Sequence, residues 1–574
     1  MTFRLPRRFL FITAAGLIAT LIFAALLALD LANRGLAWDM LYDLTGEEAP
    51  FSQARGFVEW LGNTTRQPLN LALDVPVNHA EVSPFGVNTF LEQEVEPAKR
   101  EQQMQMIADA GFNWIRQQFV WEDIEIHGKG DFVDTRNDPA GVDSWAKYDQ
   151  IVDLAEQYGI QIQARLSNPP AWAQTAAGDF APPANAQDYV DFAAAVAERY
   201  RGRIHYFQVW NEPNIYPEWG EQSVDPEAFT ELLCRTYYAL KAVDPEIVVI
   251  APALSPTLAL TGRDLSELIY LERMYQAGAG DCFDVLAAQA YGFFSGPTDQ
   301  RLRIFQPNFA RQQFVRDLMV QHGDAQKPIW ISEVAWNPLD SPDVPIELIN
   351  REGFGVVTPE QAARYLTEAY QRVAEDFPYI GVMNYWYFKP ASEAEAGQSW
   401  YYFRMLEPDF EPMPVYEAFH EYHTNLQPTL YRGVHQAEDW AIESAGDLVE
   451  AEGAQFGVAL STHEPIRFMT HGTDVIVRVQ SGVIPHIKIN GRPAEPISIR
   501  SLSGNWTEIV LQKDKLPATN VFQLSMPDGV FLLDSVQIND HLARTRTPIM
   551  LGGMAVFMVF IGGVIWALWQ RFRG

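Results

Sequence analysis

From about Ser83 to Leu426 the sequence repeats one unit: a short apolar run, then an amphipathic stretch with helix start and stop signals. The runs are FGVNTF (85–90), FNWIR (112–116), IQIQARL (160–166), the run that ends in VW (204–210), IVVIA (247–251), FDVLAAQAY (283–291), IWISEV (329–334) and YIGVMNYWY (379–387). Between them, Pro97 opens a helix that Gly111 ends. Trp145, Tyr148, Ile151, Val152, Ala155 and Tyr158 form one stripe that stops at Gly159, and Thr358-Pro359-Glu360-Gln361 reads as a capping box. Eight strand–helix units predict an α/β chain whose residues 83–427 form a (β/α)8 TIM barrel. An open doubly wound sheet is the alternative, but no glycine-rich phosphate loop follows the first run.

Outside this block the pattern changes. DVIVRV, HIKING, WTEIVL, VFQLSM and VFLLDSVQI alternate between Gly, Pro, Asn and Asp, which predicts a small all-β sandwich over 428–540. Residues 9–29 and 549–569 contain no charged residue, and each is long enough to span a bilayer as a helix. Arg4, Arg7 and Arg8 precede the first, so the expected topology keeps both termini in the cytoplasm and the residues between the two segments outside the cytoplasmic membrane. The exit Leu29-Asp30-Leu31-Ala32 is a poor signal-peptidase site, which favours an uncleaved anchor. Residues 30–82 read as an irregular linker, with AWDMLYDL and ARGFVEWL as short helices of no assigned place.

The formal charge of −31 excludes nucleic acid as a partner, since phosphate backbones need basic surfaces. None of the 11 histidines forms a metal constellation, so neither a metal nor another cofactor is expected. Of the two cysteines, Cys234 lies in the helical stretch ELLCRTYYAL, which predicts a buried free thiol. Pairing with Cys282 is the open alternative.

Active sites of such barrels lie where the strands end. Glu212 ends the fourth run and Glu333 the seventh, so both project into one mouth. Two acids facing one bond are the apparatus of glycoside hydrolysis. Trp210-Asn211-Glu212-Pro213-Asn214, with Glu333 on a later strand, resembles the clan A retaining glycoside hydrolases over roughly 83–425, family 39 most and family 5 next. The resemblance implies Glu212 as general acid/base, Glu333 as nucleophile, and Asn211 as donor to the sugar 2-hydroxyl. It implies that Arg116 and Tyr291 hold Glu333 and that Trp386 floors the sugar next to the cleaved bond. Trp172, in NPPAWA, resembles a further substrate-binding segment of family 39. Many clan members carry His two places before the Tyr, where this chain has Gln289.

The structural alternatives are a helix cap or arginine pair for Glu212, a barrel-mouth ion pair for Arg116, and plain packing for Tyr291 and Trp386. Trp219, Trp336, Trp400 and Tyr401 are further aromatic platforms no better than structural among 16 tryptophans. The functional expectation is a membrane-anchored retaining O-glycosidase acting on poly- or oligosaccharide. The alternative is a non-catalytic carbohydrate-binding or scaffolding protein of polysaccharide export or assembly.

Overall fold

A computed structural model describes residues 18–541 apart from 19–20, 23, 175–177, 179, 340–343, 345–347, 350 and 527–528. Eight parallel strands form the barrel: β1 Phe85–Thr89, β2 Trp114–Val120, β3 Gln161–Ser167, β4 Tyr206–Val209, β5 Val248–Ile250, β6 Leu286–Gln289, β7 Ile329–Val334 and β8 Ile380–Tyr385. Their order is β5-β4-β3-β2-β1-β8-β7-β6, and single parallel bridges Ile250–Val285 and Leu254–Ala288 nearly close the ring between β5 and β6. The intervening helices are α3 Pro97–Ala110, α4 Ala146–Tyr158, α5 Ala186–Arg199, α6 Pro226–Val243, α7 Glu267–Gln276, α8 Gln312–Gln321, α9 Pro359–Asp376 and α10 Pro414–Asn425. Before them come α1 Leu36–Thr45 and α2 Pro50–Asn63.

The local signals work as the sequence indicates. Thr358 and Gln361 form the reciprocal capping box of α9. Gly111 ends α3 in the left-handed region (φ 100°), where a Cβ would meet the His423 ring at 2.2 Å. Strand β2 differs, running from Trp114 to Val120 instead of 112–116. Phe112 is drawn off to stack on Phe419 of α10 at 4.0 Å, and the strand continues through polar Gln117 and Gln118. Thr89 donates to the Gln117 side-chain oxygen (2.9 Å) and Gln118 donates to Asn168 (2.9 Å), so these amides are satisfied where an apolar pattern would not look for them.

Residues 30–82 are more than a linker. Helices α1 and α2 dock on the loop between β6 and α8, around Arg301, which is fully buried. Its guanidinium donates to Thr45 O (2.7 Å) and pairs with Glu47 (2.8 Å), Asp299 (2.7 Å) and Glu59 (3.3 Å). A buried cation with this many partners is costly to orphan, so it clamps the hairpin.

Residues 433–539 form an all-β domain of one ten-stranded sheet. Three long strands dominate it: β9 Ile466–Gln480, β10 Trp506–Ser525 and β11 Phe531–Asn539. WTEIVL and VFQLSM are therefore one strand, β10, whose pairing with β9 breaks register between Gly472 and Asp474. Such a bulge bends the sheet, and side chains from both ends of β9 and β10 share one core.

Cys234 and Cys282 are bonded, which corrects the free-thiol expectation: α6 and the entry to β6 bring their Cα atoms to 4.8 Å. The bond closes a separation of 48 residues. The Cys234→Ala/Cys282→Ala variant is expected to lose ~2–4 kcal/mol. Denaturant midpoints of the two proteins check this, and equal midpoints would refute it.

Among the described residues no helix is long and apolar enough to cross a membrane. Segment 549–569 lies outside the described residues, as does more than half of 9–29.

Candidate active site

The site begins at the end of β4. Trp210 adopts φ 68°, a left-handed conformation that turns the chain sharply after Val209. Its buried indole donates to Glu218 O (2.8 Å) and packs between Tyr189 and Trp219. The peptide oxygen of Trp210 accepts from Gln208 (2.9 Å). This support fixes the turn, and Asn211 and Glu212 follow it into a cavity of about 1290 Å³ at the C-terminal ends of the strands.

Glu333 reaches the same cavity from β7. The pairing of β7 shifts register on both sides of this segment, against β6 at Ala288/Gln289 and against β8 at Met383/Tyr385. Irregularity of this kind re-aims a side chain beside a site. Arg116 Nη1 donates to Glu333 Oε1 (3.1 Å), and Tyr291 Oη donates to Glu333 Oε2 (2.7 Å). Arg116 also donates to the side-chain oxygens of Asn88 (2.8 Å), Gln208 (2.7 Å) and Asn211 (2.7 Å). Four oxygen partners hold that buried guanidinium in one pose.

Glu212 sits in a different environment. Gln289 donates to its Oε1 at 2.7 Å, and Asn211 Nδ2 approaches its Oε2 at 3.3 Å. Burial, then the charges of Glu333 and Glu218, push the Glu212 carboxyl up to about 8; hydrogen bonds from Gln289 and Ser255 oppose this. Burial and next the Arg165 charge lower Arg116 to about 10, so it stays protonated at neutral pH. Burial and the Glu333 charge raise Tyr291 well above the phenol range, which keeps it a neutral donor. One carboxyl thus holds its proton beside another paired with a cation, the separation of states that acid/base chemistry needs.

The structure brings Glu212, Glu333, Asn211, Arg116, Tyr291 and Trp386 together. Trp386 lines the cavity edge-on to Phe90, ring centroids 5.4 Å apart. Trp172 does not join them: its ring packs edge-on against Trp121 and its Nε1 donates to Glu125 O (2.9 Å), away from the cavity lining. Of the four further aromatics, Trp400 lines the cavity and is half exposed, whereas Trp219, Trp336 and Tyr401 are buried. Sequence reasoning missed Glu218. This half-buried carboxylate lines the cavity and accepts from Asn211 Nδ2 (3.2 Å). Its one signal was position, six residues after Glu212 in the same loop. Gln289, noted as a departure, proves to be the partner of Glu212. No group of His, Cys, Asp and Glu suited to a metal occurs among the described residues.

Two glutamates that meet in the mouth of a parallel barrel are the apparatus of glycoside hydrolysis. Residues 75–274, about a third of the chain, match the family model described as cellulase (glycosyl hydrolase family 5). Similar solved structures include a family 39 glycoside hydrolase from the gut symbiont Bacteroides cellulosilyticus WH2 (17% identity, 79% of this chain, 83% of that chain, TM-score 0.46). A family 39 β-xylosidase from Caulobacter crescentus is 16% identical (79% of this chain, 98% of that chain, TM-score 0.42). The GH5_18 protein from Streptomyces cattleya in complex with GlcNAc is 17% identical (61% of this chain, 83% of that chain, TM-score 0.42). No curated protein matches the chain. The family match agrees with the clan A resemblance and supports a retaining glycosidase.

Proposed function

We propose that the chain is a membrane-tethered retaining O-glycosidase that cleaves poly- or oligosaccharide outside the cytoplasm in two displacements. The observation that carries this reading is the unequal treatment of two acids in one cavity. Glu333 receives Arg116 and Tyr291, while Glu212 is driven up to about 8 by burial and the neighbouring charges. In the first step the Glu333 oxygen attacks the anomeric carbon, and Glu212 gives its proton to the leaving oxygen. Esterified Glu333 carries no charge, so the proton affinity of Glu212 drops. Glu212 then takes a proton from water, which attacks the anomeric carbon and frees Glu333. In this reading Asn211 donates to the sugar 2-hydroxyl, and Trp386 offers a face to the ring.

The membrane tether rests on segments 9–29 and 549–569 and on the described part of the first. Ile18, Leu21, Ile22, Leu26 and Leu29 are each more than half exposed, an apolar surface that water does not suit. The expected topology keeps both termini in the cytoplasm.

A 2-deoxy-2-fluoro glycoside with a good leaving group tests the mechanism. It slows the second step more than the first, so the enzyme accumulates as an ester of Glu333, seen as a mass increase on the peptide that carries it. A label on another residue would overturn the assignment.

A further inference from the structure

The rim of the catalytic cavity carries a charged cluster and, elsewhere, a set of exposed apolar side chains among polar ones such as Thr257 and Asp264. Glu122, Asp123, Arg136 and Lys147, from the segments after β2, form the cluster. The apolar set comes from loops after β5, β6 and β7. There Leu258, Phe294 and Phe354 line the mouth, and in sequence Leu260 stands two residues after Leu258, and Ile304 and Phe305 just before Pro307, which also lines it. Phe305 is 87% exposed and Leu260 71% exposed. None of these six side chains has a hydrogen-bonding edge. Platforms that stack sugars in water profit from the polar edge of Trp or Tyr, so these six exposed groups suit an apolar neighbour.

The loop after β6 also holds the N-terminal segment. Gly296 N donates to Gly46 O (2.8 Å) and Gln300 N to Leu44 O (3.1 Å), which join α1 to the loop after β6. Leu302 N donates to Asn63 (2.9 Å), and Arg303 pairs with Glu59 (2.9 Å), which seats α2 immediately before Ile304 and Phe305. The chain then runs down α8, with Asn70 N on Asp317 (2.7 Å) and Asn78 N on Gln326 O (2.9 Å), to reach the bottom of the barrel and begin β1. Helices α1 and α2 therefore sit at the mouth end. Leu36 and Phe51 on them are 86% and 85% exposed.

The connection to the apolar N-terminal helix is short and fastened. Asp30, directly after that segment, accepts from the backbone of Ala37 (2.8 Å) and Trp38 (3.2 Å) at the start of α1. Six residues separate Leu29 from Leu36, a reach of at most ~25 Å even if extended.

We propose that the apolar side chains of the cavity rim and the outer faces of α1 and α2 rest in the headgroup region of a phospholipid bilayer, the one that holds residues 9–29. Interfacial apolar faces settle ~5–10 Å into the boundary between headgroups and acyl chains. In this posture the cavity opens at the membrane surface, where membrane-borne glycans emerge. The inference rests on the membrane-span reading of residues 9–29, and not on hydrolysis.

The test uses the full chain in vesicles of phosphatidylethanolamine and phosphatidylglycerol. A nitroxide is attached to Phe305→Cys, to Leu260→Cys and, as control, to Glu246→Cys in the exposed turn at the opposite end of the barrel. The native cysteines are disulfide-bonded and do not take the label. At 305 and 260, collisions with oxygen are expected to rise and collisions with a water-soluble nickel chelate to fall, so that their ratio exceeds that at 246 by an order of magnitude. Ratios at 305 and 260 equal to that at 246 overturn the proposal. Co-sedimentation of the same samples separates the causes. Protein that sediments with vesicles but reads aqueous at 305 refutes the rim contact alone. Protein that stays in the supernatant refutes the membrane span and the contact with it. Hydrolytic activity enters neither reading.

Discussion

Glu333→Gln is expected to lower kcat by four or more orders of magnitude, about 5 kcal/mol or more of barrier, on any substrate the enzyme turns over. The amide keeps the shape of the carboxyl but offers no electron pair that forms a stable ester with the anomeric carbon. The variant also changes the electrostatics of the mouth. Arg116 loses its counter-ion but keeps Asn88, Gln208 and Asn211 as acceptors. Removal of one partner of a buried pair costs ~3–5 kcal/mol where nothing else compensates. A thermal melt must therefore accompany the assay, and a folded variant with less than a hundredfold loss would refute the nucleophile assignment. A folded, inactive variant that still binds oligosaccharide would separate the chemistry from recognition, and it would also dispose of the non-catalytic scaffold alternative.

Glu212→Ala is expected to show a loss that depends on the leaving group. General acid catalysis contributes ~10²–10⁴-fold, and substrates with poor leaving groups need it most. An activated aryl glycoside should pass the first step nearly normally and stall at the second, where no base remains. Azide, which needs no base, should then restore turnover and yield a glycosyl azide. The pH profile gives a second reading of the same residue. Its carboxyl is raised to about 8, so the acid form prevails below that pH and is lost above it. The alkaline limb of kcat/KM should accordingly fall through about pH 8 in the wild type and vanish in the variant. An unchanged alkaline limb in Glu212→Ala would assign that limb, and the acid role, to another group.

The two principal acids and most of the groups around them are legible in the sequence. Glu212, Glu333, Asn211, Arg116, Tyr291 and Trp386 stand at or near strand ends, and in a closed barrel strand ends converge. Trp172 failed because its position in a loop says nothing about which way the ring turns. In the structure the ring turns toward Trp121, another large apolar surface next to it. Glu218 escaped notice for the opposite reason: it follows a loop with no periodicity, and only the fold returns its side chain to Asn211. Cys234 was misread because its helix shows burial but not the neighbour at Cys282, which lies on the next turn of the barrel.

Taken by itself, the sequence determined the alternation of strands and helices, the helix caps, the all-β region and the two acids at strand ends, because each is written in residues within one or two turns of chain. The tertiary structure decided what lies between distant segments. Gln289 from β6 and Glu218 from the β4 loop surround Glu212, Arg301 clamps α1 and α2 beside the mouth, and the exposed apolar side chains of the rim come from three separate loops. These arrangements depend on closure of the ring, which brings together groups hundreds of residues apart and removes them from water. Burial and neighbouring charge, unlike periodicity, do not exist until that has happened.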